Sequence, residues 1–438
     1  MGKIVAKFGG SSLSDAGQFR KVRDILRMDA RRVYVVPSAP GKRFATDEKV
    51  TDLLYLTHRT KTEGGDWRAV FARIAERYHQ IERDLALTTD LAAQLERIAG
   101  DIDAGASADY CASRGEYLNG LLLSAYLGYA FLDPKDYIFF NADGQYESER
   151  TNDALSEALA GVENAVVPGF YGALPDGSVH TFSRGGSDIT GAIVARAACA
   201  DVYENWTDVS GFLMADPRLV DGALPIRNVT YRELRELSYM GATVLHEDSI
   251  FPVHRAGIPT NIRNTNHPEH IGTFITHLAE TDKNPYVITG IAGRVGYSVI
   301  SVEKAMMNAE KGFGKRILQA VEEAGLNFEH LPTGIDTLCV VLETAQLAPV
   351  QEKVVSRIMA LTQPDTITIH DDMGLIATVG RGMVHNPGTA ARLFTALSTA
   401  HVNVRMIDQG SSELSILVGV DRCDFEASIR AIYHEFVK

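Results

Sequence analysis

The sequence has few of the features that mark zinc, redox or membrane proteins. Its 438 residues include four cysteines, and none of them has the short paired spacing of a metal or redox motif. No apolar run reaches the length of a membrane span, and the N-terminus lacks the basic-then-apolar layout of a signal peptide. We therefore expect reduced thiols and a cytoplasmic protein with no membrane partner.

Positive charge is also scarce. The 43 lysines and arginines are scattered and outnumbered by 56 aspartates and glutamates, which leaves a net charge of −13. A nucleic-acid surface needs a clustered positive field, so we expect no nucleic-acid partner. An anionic ligand would need a local basic pocket. The length predicts two or three domains.

The first two-thirds of the chain alternates strand-like and helix-like segments. Helical patterns lie between apolar runs that predict strands at 4–6, 32–36, 137–140, 165–170, 202–206 and 259–262. This alternation is typical of an α/β fold with a mainly parallel central sheet. The charge-rich residues at about 52–104 are predicted to be a helical insert, and residues 282–285 a linker.

The last third of the chain contains an internal repeat. With a shift of 76 residues and no gaps, Val299-Ile300 aligns with Leu375-Ile376, and Gly334 aligns with Gly410. Each copy reads as an α+β unit of strand, helix, two strands and a closing helix. Because so small a unit buries little surface by itself, we expect the two copies to pair side by side.

Two glycine-rich turns carry candidate chemistry. Lys7-Phe8-Gly9-Gly10-Ser11-Ser12 follows a strand and precedes a helix, where backbone amides and a lysine can hold phosphate. Ser183-Arg184-Gly185-Gly186-Ser187-Asp188 opens a second helix, and its arginine could bind a carboxylate. Taken alone, the first turn could equally be a tight loop, and Asp188 could be a plain helix N-cap.

The order of the motifs resembles that of the aspartate kinases. The resemblance extends over Val50-Thr51-Asp52-Leu53-Leu54, Arg114-Gly115-Glu116, Thr207-Asp208, Asp216-Pro217-Arg218 and Gly241-Ala242-Thr243-Val244-Leu245-His246. It implies an amino-acid-kinase sandwich over 1–283 and two ferredoxin-like ACT domains over 284–370 and 371–438. It also implies transfer of the γ-phosphoryl group of MgATP to the side-chain carboxylate of L-aspartate, the first step of lysine, threonine and methionine biosynthesis.

The resemblance also implies roles for individual residues. Lys7 and Asp188 would be catalytic, and the aspartate substrate would contact Ser38, Thr51, Glu116, Arg184 and Ser187. The ATP contacts would be Lys7, Phe8, Gly9, Gly10, Ser11, Thr207, Asp208, Leu213 and Arg218. Mg²⁺ would be carried with ATP, and no metal site built by the protein alone is predicted. Since a carboxylate is already a nucleophile at neutral pH, catalysis requires alignment and charge neutralisation but no general base.

Two positions depart from the family pattern. Thr243 stands where the family commonly has a lysine that reaches the nucleotide, and Leu213 stands where a tyrosine often contacts it. We expect either that Lys42 or Arg43 substitutes for the missing cation, or that ATP binds more weakly.

The paired ACT units imply feedback regulation by an amino acid. The effector pocket implied by the resemblance contains Met307, Phe313, Asn327, Phe328, Glu329 and Thr333. Met307 and Phe313 could instead be core residues, whereas Glu329 could receive an effector ammonium group. We expect lysine as the inhibitor, with threonine as the alternative, and a homodimer or dimer of dimers joined through the ACT domains. The competing hypotheses are another amino-acid kinase and a catalytically weakened sensor that only binds amino acids.

Overall fold

The computed structural model describes residues 2–183, 185–242, 250–277 and 285–437, and the chain divides into two compact units. Unit 1 comprises residues 1–212, 225–231 and 243–282, and unit 2 comprises 213–224, 232–242 and 283–438. The predicted domain limits of 1–283, 284–370 and 371–438 stay a prediction. Residues 282–284 of the predicted linker lie outside the described residues.

The strands of the described residues are β1 (Ile4–Phe8), β2 (Arg32–Pro37), β3 (Ala130–Phe131), β4 (Ala165–Val166), β5 (Tyr171–Ala173), β6 (Val179–Thr181), β7 (Val202–Thr207), β8 (Asn228–Thr230), β9 (Thr260–Asn264), β10 (Thr273–Thr276), β11 (Gly290–Glu303), β12 (Thr337–Glu343), β13 (Thr366–Val379), β14 (Val404–Asp408) and β15 (Ser415–Asp421). The helices are α1 (Ala16–Met28), α2 (Val50–Thr62), α3 (Trp67–Asp84), α4 (Leu91–Asp103), α5 (Ala108–Leu127), α6 (Ser148–Ala160), α7 (Gly186–Ala197), α8 (Tyr231–Tyr239), α9 (Phe251–Ala256), α10 (Phe313–Glu323), α11 (Thr344–Leu347), α12 (Gln351–Thr362), α13 (Thr389–Thr399) and α14 (Phe425–Val437). Across these helices, none combines the length and apolar character that crossing a membrane requires.

Unit 1 is built on an eight-stranded sheet in the order β3-β4-β2-β1-β7-β9-β10-β8. All neighbouring pairs are parallel except β9 with β10, so the predicted α/β class with a mainly parallel sheet is confirmed. The central strands β1 and β2 are almost entirely buried, which explains why they read as continuous apolar runs. Helix α1 begins where Asp15 caps it by accepting a hydrogen bond from the amide of Gln18 at 3.0 Å.

The helical insert consists of α2, α3 and α4, as the sequence predicts for residues 52–104. Its buried side chains join a core shared with β1, α1 and α5, and among them are Trp67, Phe71, Ile74, Tyr78 and Ile98. The insert therefore extends the core of unit 1.

Two strand predictions differ from the structure. Residues 137–140 form only isolated bridges, because the amide of Phe139 donates instead to the hydroxyl of Thr151 at 2.9 Å. The predicted strand at 165–170 is regular only over Ala165–Val166. The amides of Val167 and Gly169 still donate to carbonyls of β2 at 2.9 and 3.0 Å, and Pro168 between them has no amide proton. Phe170, at the far end of the predicted strand, has a left-handed backbone with φ 84°.

Unit 2 contains one antiparallel five-stranded sheet in the order β12-β11-β13-β15-β14. Its centre is the pairing of β11 with β13, in which Gly290 lies opposite Val379 and Glu303 lies opposite Thr366. Residues 290–303 and 366–379 are the same segment of the two repeats, so the copies meet through equivalent strands in opposite directions. The expected side-by-side pairing of the repeats is confirmed.

A buried ion cluster joins three strands of the unit 1 sheet. Glu204 on β7 accepts hydrogen bonds from Arg32 at 2.7 and 3.0 Å, from Arg263 at 3.3 Å and from the indole of Trp206 at 2.8 Å. The side chains of Arg32 and Glu204 are only 5% and 4% exposed. Both guanidinium groups also lie over the Trp206 ring, at 5.2 and 4.6 Å from its centroid.

We expect Glu204→Ala to lower the free energy of unfolding by about 3 kcal/mol, because it leaves two arginines without their buried counter-charge. The measurement is urea unfolding of the full chain followed by circular dichroism. Glu76→Ala is the control, since Glu76 forms an exposed pair with Arg83, and its loss should lower the free energy of unfolding much less. Equal losses in the two variants would contradict this account of the cluster.

Candidate active site

A cavity of about 590 Å³ opens in unit 1 at the carboxyl ends of the parallel strands β1, β2 and β7. This edge of a parallel sheet is where α/β folds bind ligands. Of the residues predicted for the site, those that line the cavity are Lys7, Gly9, Gly10, Ser11, Ser38, Thr51, Glu116, Ser187, Asp188, Thr207 and Asp208. The same cavity is therefore lined both by residues predicted to contact ATP and by residues predicted to contact aspartate.

Lys7 and Asp188 meet at the floor of this cavity. The amine of Lys7 lies 2.6 Å from Oδ1 of Asp188, and the two side chains are 9% and 19% exposed. Asn205 bridges them, because its amide donates to Asp188 Oδ1 at 2.8 Å and its carbonyl accepts from Lys7 at 3.3 Å. The backbone carbonyl of Asp188 accepts a hydrogen bond from the buried Tyr203 hydroxyl at 3.0 Å. The acid is thus held from both its side chain and its backbone.

Close backbone approach explains two of the glycines beside the cavity. A Cβ at Gly41 would lie 2.6 Å from the carbonyl carbon of Gly10, and the amide of Gly41 donates to the Gly10 carbonyl at 2.8 Å. Gly185, before the first turn of α7, has φ 57°, which a residue with a side chain adopts only with strain. These positions leave the amides near Gly10 and at the start of α7 open toward the cavity.

Glu116 on α5 is a buried carboxyl group that faces the same cavity. Burial raises its pKa from 4.5 to about 8, an effect that a hydrogen bond from the backbone of Ala39 partly offsets. Its Oε2 atom has no hydrogen-bond partner within the described residues. An unpartnered, buried acceptor of this kind is a site for a ligand that brings a donor or a positive charge.

Several predicted residues are not among those that line the cavity. Phe8 is buried, and its ring stacks on Trp206 with centroids 5.9 Å apart. Arg184 and Thr243 lie outside the described residues. Leu213 and Arg218 belong to unit 2, where Arg218 is exposed and pairs with Asp216 at 2.6 Å.

The sequence reasoning assigned no role to three residues at this cavity. Asn205 lies directly opposite Lys7 in the β1–β7 pairing, and two consecutive polar residues, Glu204 and Asn205, inside a buried strand were the signal that could have indicated it. Lys49 and Phe170 also line the cavity. Lys49 carries no distinctive sequence signal, because a lone lysine in a polar loop usually faces solvent.

The residues predicted for the effector pocket occupy different environments in unit 2. Met307 and Phe313 are buried in the hydrophobic core beside β11 and α10, whereas Asn327, Phe328 and Thr333 are exposed. Glu329 is half-buried, and its carboxylate accepts a hydrogen bond from the hydroxyl of Tyr239 at 2.5 Å. The effector role of these six residues stays a prediction.

Comparison with known proteins identifies the family. A model of the amino acid kinase family matches residues 2–264, and a model of the ACT domain matches residues 376–436. Aspartokinase 3 of Bacillus subtilis is 39% identical, over 99% of this chain and 98% of that protein.

Solved structures agree with this result. The crystal structure of Clostridium acetobutylicum aspartate kinase, which is described as an allosteric enzyme, is 48% identical, has a TM-score of 0.93 and covers 100% of both chains. E. coli aspartokinase III, solved in complex with aspartate and ADP, is 22% identical over 99% of both chains with a TM-score of 0.73, and it supports the fold alone. The resemblance in the sequence motifs is therefore confirmed, and the chain belongs to the aspartokinases of the amino acid kinase family.

Proposed function

We propose that the cavity of unit 1 transfers the γ-phosphoryl group of ATP to the side-chain carboxylate of L-aspartate, which gives 4-phospho-L-aspartate and ADP. The contact between Lys7 and Asp188 beside the Gly9–Gly10 turn is the observation that carries this proposal. A carboxylate oxygen forms a bond to the γ-phosphorus while the bond from that phosphorus to the ADP oxygen breaks. No proton changes place, so the residues of the site have to align the substrates and neutralise charge.

The nucleotide phosphates would lie at the carboxyl end of β1. Lys7 would neutralise them, and the amides of Gly10 and Ser11 would donate to their oxygens. The amide of Gly9, predicted as a third donor, instead donates to the carbonyl of Trp206 at 2.9 Å. Asp188 and Asn205 would orient the Lys7 amine toward the transferring group. Thr207 and Asp208, at the end of the neighbouring strand β7, would contact the rest of the nucleotide, and Phe8, Leu213 and Arg218 stay predictions.

The aspartate substrate would lie on the side of the cavity formed by α2 and α5. The hydroxyls of Ser38, Thr51 and Ser187 line this cavity and would donate to the substrate carboxylates. Glu116 would receive the substrate ammonium group, which supplies the counter-charge that its buried carboxyl lacks. Arg184 stays the predicted partner of the substrate α-carboxylate.

Magnesium would enter with ATP. The carboxyl groups along the cavity are Glu116, Asp188 and Asp208, and no cluster of three metal-ligating side chains occurs in the described ranges. This donor set fits an ion held mainly by phosphate oxygens and water, with at most one or two carboxylates from the protein. When bound, the ion would neutralise phosphate charge.

Unit 2 would regulate this activity. We propose that lysine inhibits by binding beside Glu329, with threonine as the alternative effector. The contact between Glu329 and Tyr239 supports this site, because an effector ammonium would replace the tyrosine hydroxyl as donor to the carboxylate. The chain would act as a homodimer or dimer of dimers through its ACT domains, and its cytoplasmic location stays a prediction.

We expect Lys7→Ala and Asp188→Ala each to lower kcat by about 10²–10³-fold or more, because each removes charge control at the transferring group. The measurement is hydroxamate formation from aspartate, MgATP and hydroxylamine. Lys21→Ala is the control, since Lys21 is exposed and hydrogen-bonds to Asn266 on the surface. Hydroxamate formation by both site variants at the control rate, or none by the unmodified chain, would overturn the proposed reaction.

We expect the affinity for aspartate to rise with pH up to about 8 and then to level off. Glu116 is neutral below its pKa of about 8 and must ionise to receive the substrate ammonium, so binding below this pH releases a proton. Isothermal titration in buffers of different ionisation enthalpy measures that release. Glu116→Gln should bind aspartate weakly and without this pH dependence, and an identical pH profile in the variant would rule out Glu116 as the group responsible.

We expect Glu329→Gln to lose inhibition by lysine, and Tyr239→Phe to be inhibited at about tenfold lower lysine, because a hydrogen bond to a charged group is worth about 1.5 kcal/mol. Inhibition curves with lysine and with threonine, measured in the hydroxamate assay, provide the test. Asn327→Ala is measured alongside, because Asn327 is an exposed residue of the predicted pocket, two positions before Glu329. Unchanged inhibition constants in both the Glu329 and Tyr239 variants would place the effector elsewhere.

A further inference from the structure

The cavity contains lysines besides Lys7 that could contact the anionic substrates. Its described ionisable side chains are Lys7, Lys42, Lys49, Glu116, Asp188 and Asp208. Lys7 is already paired with Asp188, and a nucleotide and an aspartate both bring further negative charge. The neutral Thr243 stands where the family commonly has a lysine. The remaining lysines at the cavity are therefore the candidates to balance the transferring phosphoryl group.

Arg43, the other substitute expected from the sequence, is occupied by a carboxylate. Its guanidinium donates to Asp47 at 2.8 and 3.0 Å, and its backbone amide donates to the same group at 2.9 Å. The hydrogen bond from Arg43 is the main reason that the pKa of Asp47 lies well below its usual range. Arg43 thus stabilises the loop between Gly41 and Lys49 and is not among the residues that line the cavity.

Arg77 on α3 also holds this loop in place. This buried guanidinium donates to Asp47 at 2.9 Å, to the carbonyl of Ser14 at 3.2 Å and to the carbonyl of Gly41. The two ends of the loop are therefore held in place, at Gly41 and at Asp47. The backbone that carries Lys42 and Lys49 is thus held beside the cavity, and a fixed position of charged groups favours electrostatic catalysis.

Lys49 lies at the end of this loop, immediately before α2. The amide of Val50 donates to the carbonyl of Pro40 at 3.2 Å, and Val50 packs close to Gly115, the residue before Glu116. Thr51 lines the same cavity. The first turn of α2, with the positive end of the helix dipole, therefore adjoins the proposed aspartate side.

The amine of Lys49 is available to a ligand. Lys49 is exposed, and its amine has no ion pair or hydrogen bond with any residue in the described part of the chain. The amine of Lys42 also lines the cavity, but it lies 3.5 Å from the carbonyl of Ala45 within its own loop. Lys49 differs from Lys42 in its place next to the first turn of α2, where Thr51 lines the cavity and Val50 lies close to Gly115 on α5. The accepting carboxylate would lie on this side.

We propose that Lys49 is a catalytic residue that donates to the oxygens of the γ-phosphoryl group during transfer, on the side opposite Lys7. The inference rests on the proposed phosphoryl transfer to aspartate. The aspartate oxygen bonds to phosphorus as the ADP oxygen leaves, and no proton is transferred in this step. Lys7 and Lys49 would then place one ammonium on each side of the γ-phosphoryl group during its transfer. Lys49 would supply the positive charge that the neutral Thr243 lacks.

The test compares nucleotide binding with turnover in Lys49→Gln, Lys49→Arg and Lys42→Gln. The control is Lys61→Gln on the last turn of the same helix, where Lys61 pairs with Asp103 on the surface. The readouts are kcat in the hydroxamate assay and the dissociation constants of MgADP and of the Mg²⁺ complex of a non-hydrolysable ATP analogue. All variants are measured as the full chain.

We expect Lys49→Gln to lower kcat by about 10²-fold, Lys49→Arg to retain most of the activity, and Lys61→Gln to match the unmodified chain. The analogue should bind Lys49→Gln about tenfold more weakly while ADP binding stays within twofold, because ADP lacks the γ-phosphoryl group. If Lys49 had only a structural role, its replacement would weaken the binding of both the analogue and ADP, or of neither.

The inference is overturned by a kcat within twofold in Lys49→Gln, by equal losses for ADP and the analogue, or by loss of activity in Lys42→Gln alone. These outcomes are distinct from failure of the proposed function. If the unmodified chain forms no hydroxamate from aspartate, the reaction assignment fails, and the contrast between the analogue and ADP still decides whether Lys49 contacts the γ-phosphoryl group.

Discussion

The parallel pairing of β1 with β7 is the constraint on which the site depends. It places Lys7 directly opposite Asn205, and Asn205 in turn hydrogen-bonds to Asp188 at the start of α7. A shift of one residue in this pairing would turn the side chains of one strand to the other face of the sheet and separate the three groups. The electrostatic contact at the cavity floor is therefore a consequence of strand register.

The opposite face of β7 supplies a reason for that register. Side chains alternate along a strand, so Glu204 and Trp206 lie on the face away from Asn205. There Glu204 binds Arg32 from β2 and Arg263 from β9. A buried ion cluster contributes little to net stability when compared with apolar packing, but a slipped register would leave its charges unpaired. The ion cluster therefore disfavours other registers of β7 in the sheet, in which Lys7 and Asn205 would not be opposite each other.

The sequence predicted those parts of the site that depend on local patterns. The turn after β1 and the start of α7 were recognisable because glycines precede a helix, and parallel strands bring such turns to the same edge. Asn205 was missed because its role arises from long-range contacts with Lys7 and Asp188. Lys49 was missed because the folded chain alone brings its polar loop to the cavity. The strand predicted at 137–140 was wrong for a related reason, since the hydroxyl of Thr151 takes the place of a strand partner. In unit 2 the repeat predicted the pairing because the two copies carry equivalent apolar strands.

The helical insert contacts two segments that are distant from each other in the sequence and that both border the cavity. From consecutive positions of α3, Arg77 donates to the carbonyl of Gly41 and Tyr78 donates to the carbonyl of Gly115 at 2.7 Å. Gly41 begins the loop that presents Lys42 and Lys49, and Gly115 precedes Glu116, so one helix supports both sides of the proposed reaction. Burial lowers the pKa of Arg77, and four oxygens accept hydrogen bonds from its two terminal nitrogens, while its buried Nε has no partner within the described residues. The insert therefore supports the loop that carries Lys42 and Lys49. Charge neutralisation at the transferring group requires such a loop to be held in one position.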